Sequence, residues 1–188
     1  MKVYLFMILW IVVVGFISKG SEITETINGR EEKRTNYTYA ILMFAVIIIF
    51  TGLRSSVGDT FAYIKNFDRL DVESTSLVNI FKNNEAYQLY SAYGYIVKKF
   101  ISEDATVYLF GIALISGIFA MIGYRRCSCD YMYTLVLFML SGKFVWFMNG
   151  IKQFAAAALL LMAMKYITEE KKKYKYFIYL LIAYLINP

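Results

Sequence analysis

Long unbroken apolar runs constrain this chain more than any other feature of its sequence. The runs that approach the length of a membrane crossing cover residues 3–18, 37–53, 105–124, 131–148, 151–167 and 174–187. A helix needs about 20 apolar residues to cross the hydrocarbon core, and somewhat fewer when interfacial side chains anchor its ends. Charged residues make up only 18% of the chain, against about a quarter in an ordinary globular domain. The sequence therefore predicts an all-α, polytopic transmembrane helical bundle with about six membrane segments.

The residue types that are missing exclude several kinds of site. The chain has no His, and its two cysteines are Cys127 and Cys129. Without imidazole there is no catalytic triad of the serine-protease kind, and two cysteines spaced C-x-C do not supply the ligands of a usual zinc site. We therefore expect neither a metal nor another cofactor.

Basic residues between the apolar runs predict the orientation in the membrane. Lys and Arg in short loops mark the cytoplasmic side, and alternating crossings place 19–36, 125–130 and 168–173, which are rich in both, on one side. That side is expected to be cytoplasmic, which leaves the N-terminus, residues 54–104 and the turn at 149–150 outside. The net charge of +6 is then explained by topology and anionic lipid, and no nucleic-acid partner is expected.

We find no linker or repeat, so the chain is expected to form one transmembrane domain over residues 1–188. Its largest polar stretch, residues 54–104, contains an amphipathic helix over 85–101, where apolar side chains recur at intervals of three and four. The first run also fits a signal peptide, with Ser18 and Gly20 as small residues near a cleavage point. That alternative stays open from the sequence.

A first polar cluster follows the second apolar run, at the expected outer boundary. Arg54 comes directly after the run, followed by Gly58, which permits a tight turn, then Asp59 and Tyr63. In the simpler interpretation, Asp59 caps the next helix and Arg54 anchors it at the interface. In the functional interpretation, both belong to a site on the outer face.

A second polar cluster lies where the fourth apolar run ends and the fifth begins, on the same expected outer face of the membrane. It contains Asn149, Gly150, Lys152 and Gln153. A turn needs only Asn-Gly, and a cation at a helix N-terminus is mildly unfavourable for the helix dipole. Lys152 therefore indicates an anionic partner, unless its side chain only extends to lipid headgroups.

Two further residues are weaker candidates. Lys143 lies inside the fourth run, and ionisable groups within the membrane are often functional, although its stem can also reach the outer interface. Glu85 stands at the start of the amphipathic helix, where the simpler interpretation is an acid that the helix dipole stabilises.

Together these residues resemble a family pattern. In order, they are Arg54, Gly58, Asp59, Tyr63, Glu85, Asn149, Gly150 and Gln153. The order and spacing resemble the EpsG-like family of bacterial exopolysaccharide polymerases, relatives of the Wzy O-antigen and capsule polymerases. The resemblance covers nearly the whole chain.

The resemblance implies a multi-pass glycosyltransferase on the outer face of the bacterial cytoplasmic membrane. Its substrates would be oligosaccharide repeat units on undecaprenyl diphosphate, and its further partners would be membrane lipid and other polysaccharide-assembly proteins. Glycosyl transfer with a diphosphate leaving group needs cations at the phosphates, which Arg54 and Lys152 would supply, and a carboxylate base, Asp59 or Glu85. The remaining candidates for binding diphosphate or glycan are Asn149, Gln153, Tyr63 and Lys143.

Two departures from the family pattern affect the expected activity. Lys152 stands where the family usually has Arg, and it lacks the bidentate fork of Arg. Family members are also about twice as long, with a His near the position of Asn187, so the sequence predicts an N-terminal, truncated part. The alternative functions are a non-enzymatic membrane subunit of polysaccharide export and a different transferase acting on lipid or acyl donors.

Overall fold

The computed structural model describes residues 2–27, 30–83, 87–168 and 172–188, and this part of the chain is mostly helical. The first elements are helix α1 (Lys2–Ser18), a short 3₁₀ turn (Lys19–Ser21), and strands β1 (Ile23–Ile27) and β2 (Arg30–Arg34). Five helices lead to the centre of the chain, α2 (Tyr37–Gly52), α3 (Thr60–Asp68), α4 (Leu77–Asn83), α5 (Gln88–Phe100) and α6 (Ala105–Cys127). The last are α7 (Tyr131–Leu140), α8 (Lys143–Asn149), α9 (Ile151–Ala163), α10 (Lys165–Thr168) and α11 (Lys173–Ile186).

Helix α6 organises the bundle, because it packs against both α2 and α9. Helix α1 packs against α2 and α7, and α11 packs against α9. The largest core cluster joins α1, α2, α6, α7, α8 and α9, and its bulkiest buried members are Phe44, Phe138, Phe144, Phe147 and Phe154. Aromatic side chains bury much apolar area and interlock through tilted and stacked rings, so they hold helices of very different lengths together.

The chain is mostly helical, but the prediction of an all-α fold is wrong for β1 and β2, which form an antiparallel β-hairpin that pairs Ile23 with Arg34 and Ile27 with Arg30. The hairpin is attached to the bundle through the guanidinium of Arg125, which binds the Glu25 carboxylate with Nη2 to Oε1 at 2.6 Å. Contacts to the end of α6, rather than a continuous apolar face, therefore stabilise the hairpin. We call this end of the bundle the hairpin end.

Candidate membrane spans are fewer than the sequence predicts. Within the described residues, Lys2–Ser21 and Ala105–Cys127 are long and apolar enough to cross a membrane. A third candidate is the pair α7–α8, which is bent by 67° at the break between its helices. The 16-residue helix α2 is apolar but shorter, about 24 Å at 1.5 Å per residue. The chain has the apolar helices of a membrane protein, but about six spans are not confirmed.

The segment between α2 and α6 packs onto the opposite end of the bundle, which we call the Arg54 end. A second core cluster joins Phe67 on α3 and Val97 on α5 to Tyr108 on α6 and Ile151 on α9. The ammonium of Lys98 on α5 donates to the carbonyls of Phe67 and Asp68 at 3.0 and 2.7 Å, where free carbonyls end α3 and favour a cation. These contacts fix α3 and α5 against α6, and the expected amphipathic helix is α5, beginning at Gln88.

Candidate functional site

The two polar clusters, far apart in sequence, meet at the Arg54 end. Gly58 has φ +57°, and a side chain there would overlap the amide of Asn149, so the loop after α2 touches the α8–α9 turn directly. The hydroxyl of Tyr63 donates to the Asn149 carbonyl at 2.5 Å. A glycine is needed at position 58 for both reasons, the left-handed backbone and the close approach.

Arg54 is the main charged group of this site, and its residue is only 7% exposed. Its Nε donates to the Thr60 hydroxyl at 3.0 Å, and its Nη1 donates to the Thr51 carbonyl. Its Nη2 is buried and has no hydrogen-bond partner among the residues that the structure describes. Burial lowers the pKa of Arg54, yet an arginine stays protonated in proteins.

No carboxylate of the described residues lies within 4.0 Å of that guanidinium. A buried charge is strongly unfavourable unless a partner compensates it. The two hydrogen bonds fix the plane of the guanidinium. Among the described residues its Nη2 is left unsatisfied, and an anion is the kind of partner that would compensate this charge.

The second cation, Lys152, lies in the first turn of α9 and contacts aromatic rings. Its Nζ is 3.5 Å from the ring centroid of Tyr87 and 5.5 Å from that of Tyr90. Cations are attracted to the faces of such rings, so two tyrosines compensate for the unfavourable position at a helix N-terminus. Tyr87 itself has φ +64°, the only positive value at a non-glycine among the described residues. Backbone strain of this kind is frequent at binding sites.

A group of tyrosines connects the two cations. The hydroxyls of Tyr90 and Tyr108 are hydrogen-bonded to each other, and the Tyr93 hydroxyl donates to the Tyr108 carbonyl at 2.7 Å. The guanidinium of Arg54 lies within electrostatic range of Tyr63, Tyr90 and Tyr108. Burial raises the pKa of Tyr63 and of Tyr90, and Asp59 adds to the effect on Tyr63. These phenols therefore stay protonated and can donate hydrogen bonds at neutral pH.

Sequence reasoning missed Tyr90 and Tyr108. Tyr90 lies in the predicted amphipathic helix and Tyr108 in an apolar run, so neither differs from its neighbours as a site residue would. The signal that was available is the number of tyrosines, 17 in 188 residues, but a count does not say which of them share a cavity. Their proximity depends on how α5 crosses α6.

Several predicted site residues are placed differently from the expectation. Asp59 is the N-cap residue of α3, as the simpler interpretation expected, but its side chain is exposed and makes no capping hydrogen bond. Lys143 does not lie inside a continuous fourth helix, because the chain breaks after α7 and Gly142 adopts φ +71°. Lys143 is the exposed first residue of α8, with its Nζ 5.6 Å from the ring centroid of Trp146.

Gln153 is exposed one residue after Lys152, beside Gly150 in the α8–α9 turn. Glu85, the other predicted carboxylate, lies outside the described residues. Of the two predicted carboxylates, Asp59 is therefore the one that the structure describes. It directly precedes α3, the helix that contains Tyr63. Among the described residues no three His, Cys, Asp or Glu side chains are grouped to bind a metal ion.

Comparison with protein families gives one match. The model of the EpsG family matches residues 37–186, which include Arg54, Tyr63, Asn149 and Lys152. Comparisons with curated proteins and with solved structures gave no match. The family match covers well over half of the chain and includes both halves of the site at the Arg54 end, and the chain therefore belongs to the EpsG family.

Proposed function

We propose that this chain is a membrane polysaccharide polymerase that joins oligosaccharide repeat units carried on undecaprenyl diphosphate. Membership of the EpsG family, whose members are associated with polysaccharide polymerases, supports the general class. The observation that carries the proposal is Arg54. Among the described residues, its buried Nη2 has no hydrogen-bond partner and its guanidinium has no carboxylate within 4.0 Å. A diphosphate is the anion that such a site would receive in a lipid-linked sugar.

The proposed reaction is a glycosyl transfer. The bond between the anomeric carbon of the donor sugar and the phosphate oxygen breaks, and its electron pair leaves with the diphosphate. A hydroxyl oxygen of the acceptor unit forms the new bond to that carbon and loses its proton to a carboxylate. Charge develops on the leaving diphosphate, so cations fixed beforehand lower the barrier.

The residues divide between these tasks. Arg54 and Lys152 are assigned to the diphosphate, and Asn149, Gln153 and Tyr63 to substrate binding around them. Asp59 and Glu85 are the candidates for the base; Asp59 is exposed at the Arg54 end, where an acceptor would approach. Lys143 is exposed on α8, and we keep it as a further contact to substrate.

We propose that the Arg54 end faces the outside of the bacterial cytoplasmic membrane. Capsule, O-antigen or another exopolysaccharide would be the product, made together with other polysaccharide-assembly proteins. The loop charges support this orientation, since the hairpin end carries Lys19, Arg34, Arg125 and Arg126.

Complementation of a polymerase-deficient strain tests the proposal. The chain should restore long polymer on a gel, and Arg54→Gln should lower the yield by at least about a hundredfold, the usual effect of removing one donor that stabilises developing charge. The matched control is Arg69→Gln, which removes an exposed arginine at the end of α3. Immunoblots of membranes must show equal amounts of each variant.

Two outcomes would reject the proposal for this chain. Full polymer from Arg54→Gln would mean that Arg54 only anchors the helix end. Absence of polymer from the unmodified chain, when it is present in the membrane, would favour a non-enzymatic subunit instead.

A further inference from the structure

A cavity of about 170 Å³ lies at the Arg54 end. Lys152 is among its lining residues, whereas Arg54 is not. The cavity is formed where α3, α5 and α6 meet the start of α9. Its aromatic lining residues are Tyr63, Phe67, Tyr90 and Tyr108, and the side chain of Lys152 also lines it. Phe67 and Tyr108 are stacked with ring centroids 4.5 Å apart, so these walls are held in place by the second core cluster.

The cavity also contains polar groups that the protein leaves open. Within the described part of the chain, the side chains of Asn66 and Ser91 have no hydrogen-bond partner, and both line the cavity. An amide and a hydroxyl each donate and accept, and the phenol oxygens of Tyr63 and Tyr90 can accept further hydrogen bonds. Aromatic walls with a few convergent polar groups are typical of sites for small organic ligands.

We infer that this cavity binds one sugar ring, the ring bonded directly to the diphosphate of the lipid-linked donor. This inference rests on the proposed function. A sugar has the matching chemistry, because its C–H face packs on the electron-rich face of an aromatic ring while its hydroxyls bind amides and hydroxyls. Lys152 lines the cavity, and three of its tyrosines interact electrostatically with Arg54. Both cations are therefore near enough to serve the diphosphate attached to such a ring.

The size of the cavity limits what it can hold. Pockets for drug-sized ligands measure roughly 300–1,000 Å³, well above the 170 Å³ found here. The cavity therefore has room for a single ring and not for a whole repeat unit. It would select the first sugar of the donor, whose anomeric carbon is the reacting atom.

Gly94 offers a way to fill the cavity without disturbing the fold. It lies within α5, and a Cβ there would be 3.7 Å from the ring of Tyr108 and 4.0 Å from Leu70, which are ordinary contacts. Leucine also has a higher helix propensity than the glycine that it replaces. Gly94→Leu should thus fold and occupy the space of the sugar ring. Gly20→Leu, with nothing within 4 Å of its Cβ, is the matched control.

The test measures binding of two kinds of lipid to the purified full chain in nanodiscs, by native mass spectrometry. One probe is undecaprenyl diphosphate, and the others carry a single glucose, galactose or N-acetylglucosamine on it. We expect at least one sugar-bearing lipid to bind about tenfold or more tightly than the lipid without sugar. Gly94→Leu should abolish that difference and leave binding of the sugarless lipid unchanged, whereas Gly20→Leu should change neither.

The outcomes separate this inference from the proposed function. Equal binding of all four lipids to the unmodified chain, weakened throughout by Arg54→Gln, would overturn the sugar site and leave the diphosphate site standing. A sugar preference that survives Gly94→Leu would also overturn it. If none of the lipids binds, both the inference and the proposed function fail.

Discussion

At the scale of single residues, Arg54 and Lys152 are alike in one respect. Each is a cation with no carboxylate within 4.0 Å among the described residues. Arg54 is held by a hydroxyl and a backbone carbonyl, which fix its plane and leave Nη2 free. Lys152 lies on the ring of Tyr87, which attracts the charge but makes no hydrogen bond with it. In both arrangements the charge is left without an anionic partner among the described residues.

Substitutions at Lys152 test whether charge or shape matters there. Lys152→Arg should keep polymer yield at or above that of the unmodified chain, because a guanidinium also stacks on Tyr87 and adds a bidentate fork for phosphate. Lys152→Met keeps the stem without the charge and should lower the yield at least tenfold. Polymer yield in complemented cells is the measurement, with Lys65→Met on the exposed face of α3 as the control. Unchanged yield with Lys152→Met would remove Lys152 from the site.

The sequence was informative about some of these residues and not about others. Arg54 could be singled out because a charge follows an apolar run at once, and Lys152 because a turn does not require it. Tyr90 and Tyr108 could not, since a tyrosine at an apolar position fits a helix core as well as a cavity wall. Asp59 does occupy the predicted N-cap position, but its exposed carboxylate makes no capping hydrogen bond, which the sequence does not reveal.

At the scale of elements, the contact between the α2–α3 loop and the α8–α9 turn determines whether the site exists. Gly58 takes part in it through its positive φ and through its approach to Asn149. Gly142, between α7 and α8, shares the positive φ, but nothing lies within 4 Å of its Cβ position. The two glycines therefore separate backbone strain from steric overlap.

Gly58→Ala should be more destabilising than Gly142→Ala. The left-handed backbone costs each alanine about 1–2 kcal/mol, and only at Gly58 must Asn149 also move. Thermal unfolding in detergent should show a lower melting temperature for Gly58→Ala, with loss of polymer in complemented cells. Equal melting temperatures and full polymer from both variants would contradict a close loop-to-turn contact.

The hairpin shows where sequence patterns are insufficient at this scale. Its strands, Ile23–Ile27 and Arg30–Arg34, are too polar to indicate a sheet with a buried face, so residues 19–36 read as a loop. The stabilising partner is Arg125, which reads as a loop charge but is 1% exposed, stacked on Tyr37 and paired with Glu25. A contact 100 residues away along the chain is not visible in local periodicity.

Arg125→Met should release the hairpin. The substitution leaves the part-exposed Glu25 carboxylate without its partner, and the Thr35 carbonyl also loses its bond from Arg125 Nε. We expect trypsin to cut after Lys33 about tenfold faster in detergent-solubilised protein. The neighbouring, half-buried Arg126 provides the control, Arg126→Met. An unchanged rate of cutting would mean that the hairpin is held by other contacts.

At the scale of the whole molecule, the bundle has two chemically different ends. The hairpin end is rich in Lys and Arg, whereas the Arg54 end has the tyrosines, the cavity and the segment between α2 and α6. The positions of the helices follow the apolar runs, because burial of such runs requires helices in lipid. The number of crossings does not follow, since α9 and α11 have only 13 and 14 residues and the fourth run is broken between α7 and α8.

The orientation of these two ends is testable with the cysteines that the chain already has. Cys127 and Cys129 are free and exposed at the hairpin end, and Ser55 is exposed beside Arg54. If the Arg54 end faces outward, a membrane-impermeant maleimide should label Ser55→Cys in intact cells, in a background with both native cysteines changed to serine. In that orientation the native pair should be labelled only after permeabilisation, because loops rich in Lys and Arg favour the cytoplasmic side. Labelling of the native pair in intact cells would reverse the orientation and place the proposed site on the cytoplasmic side.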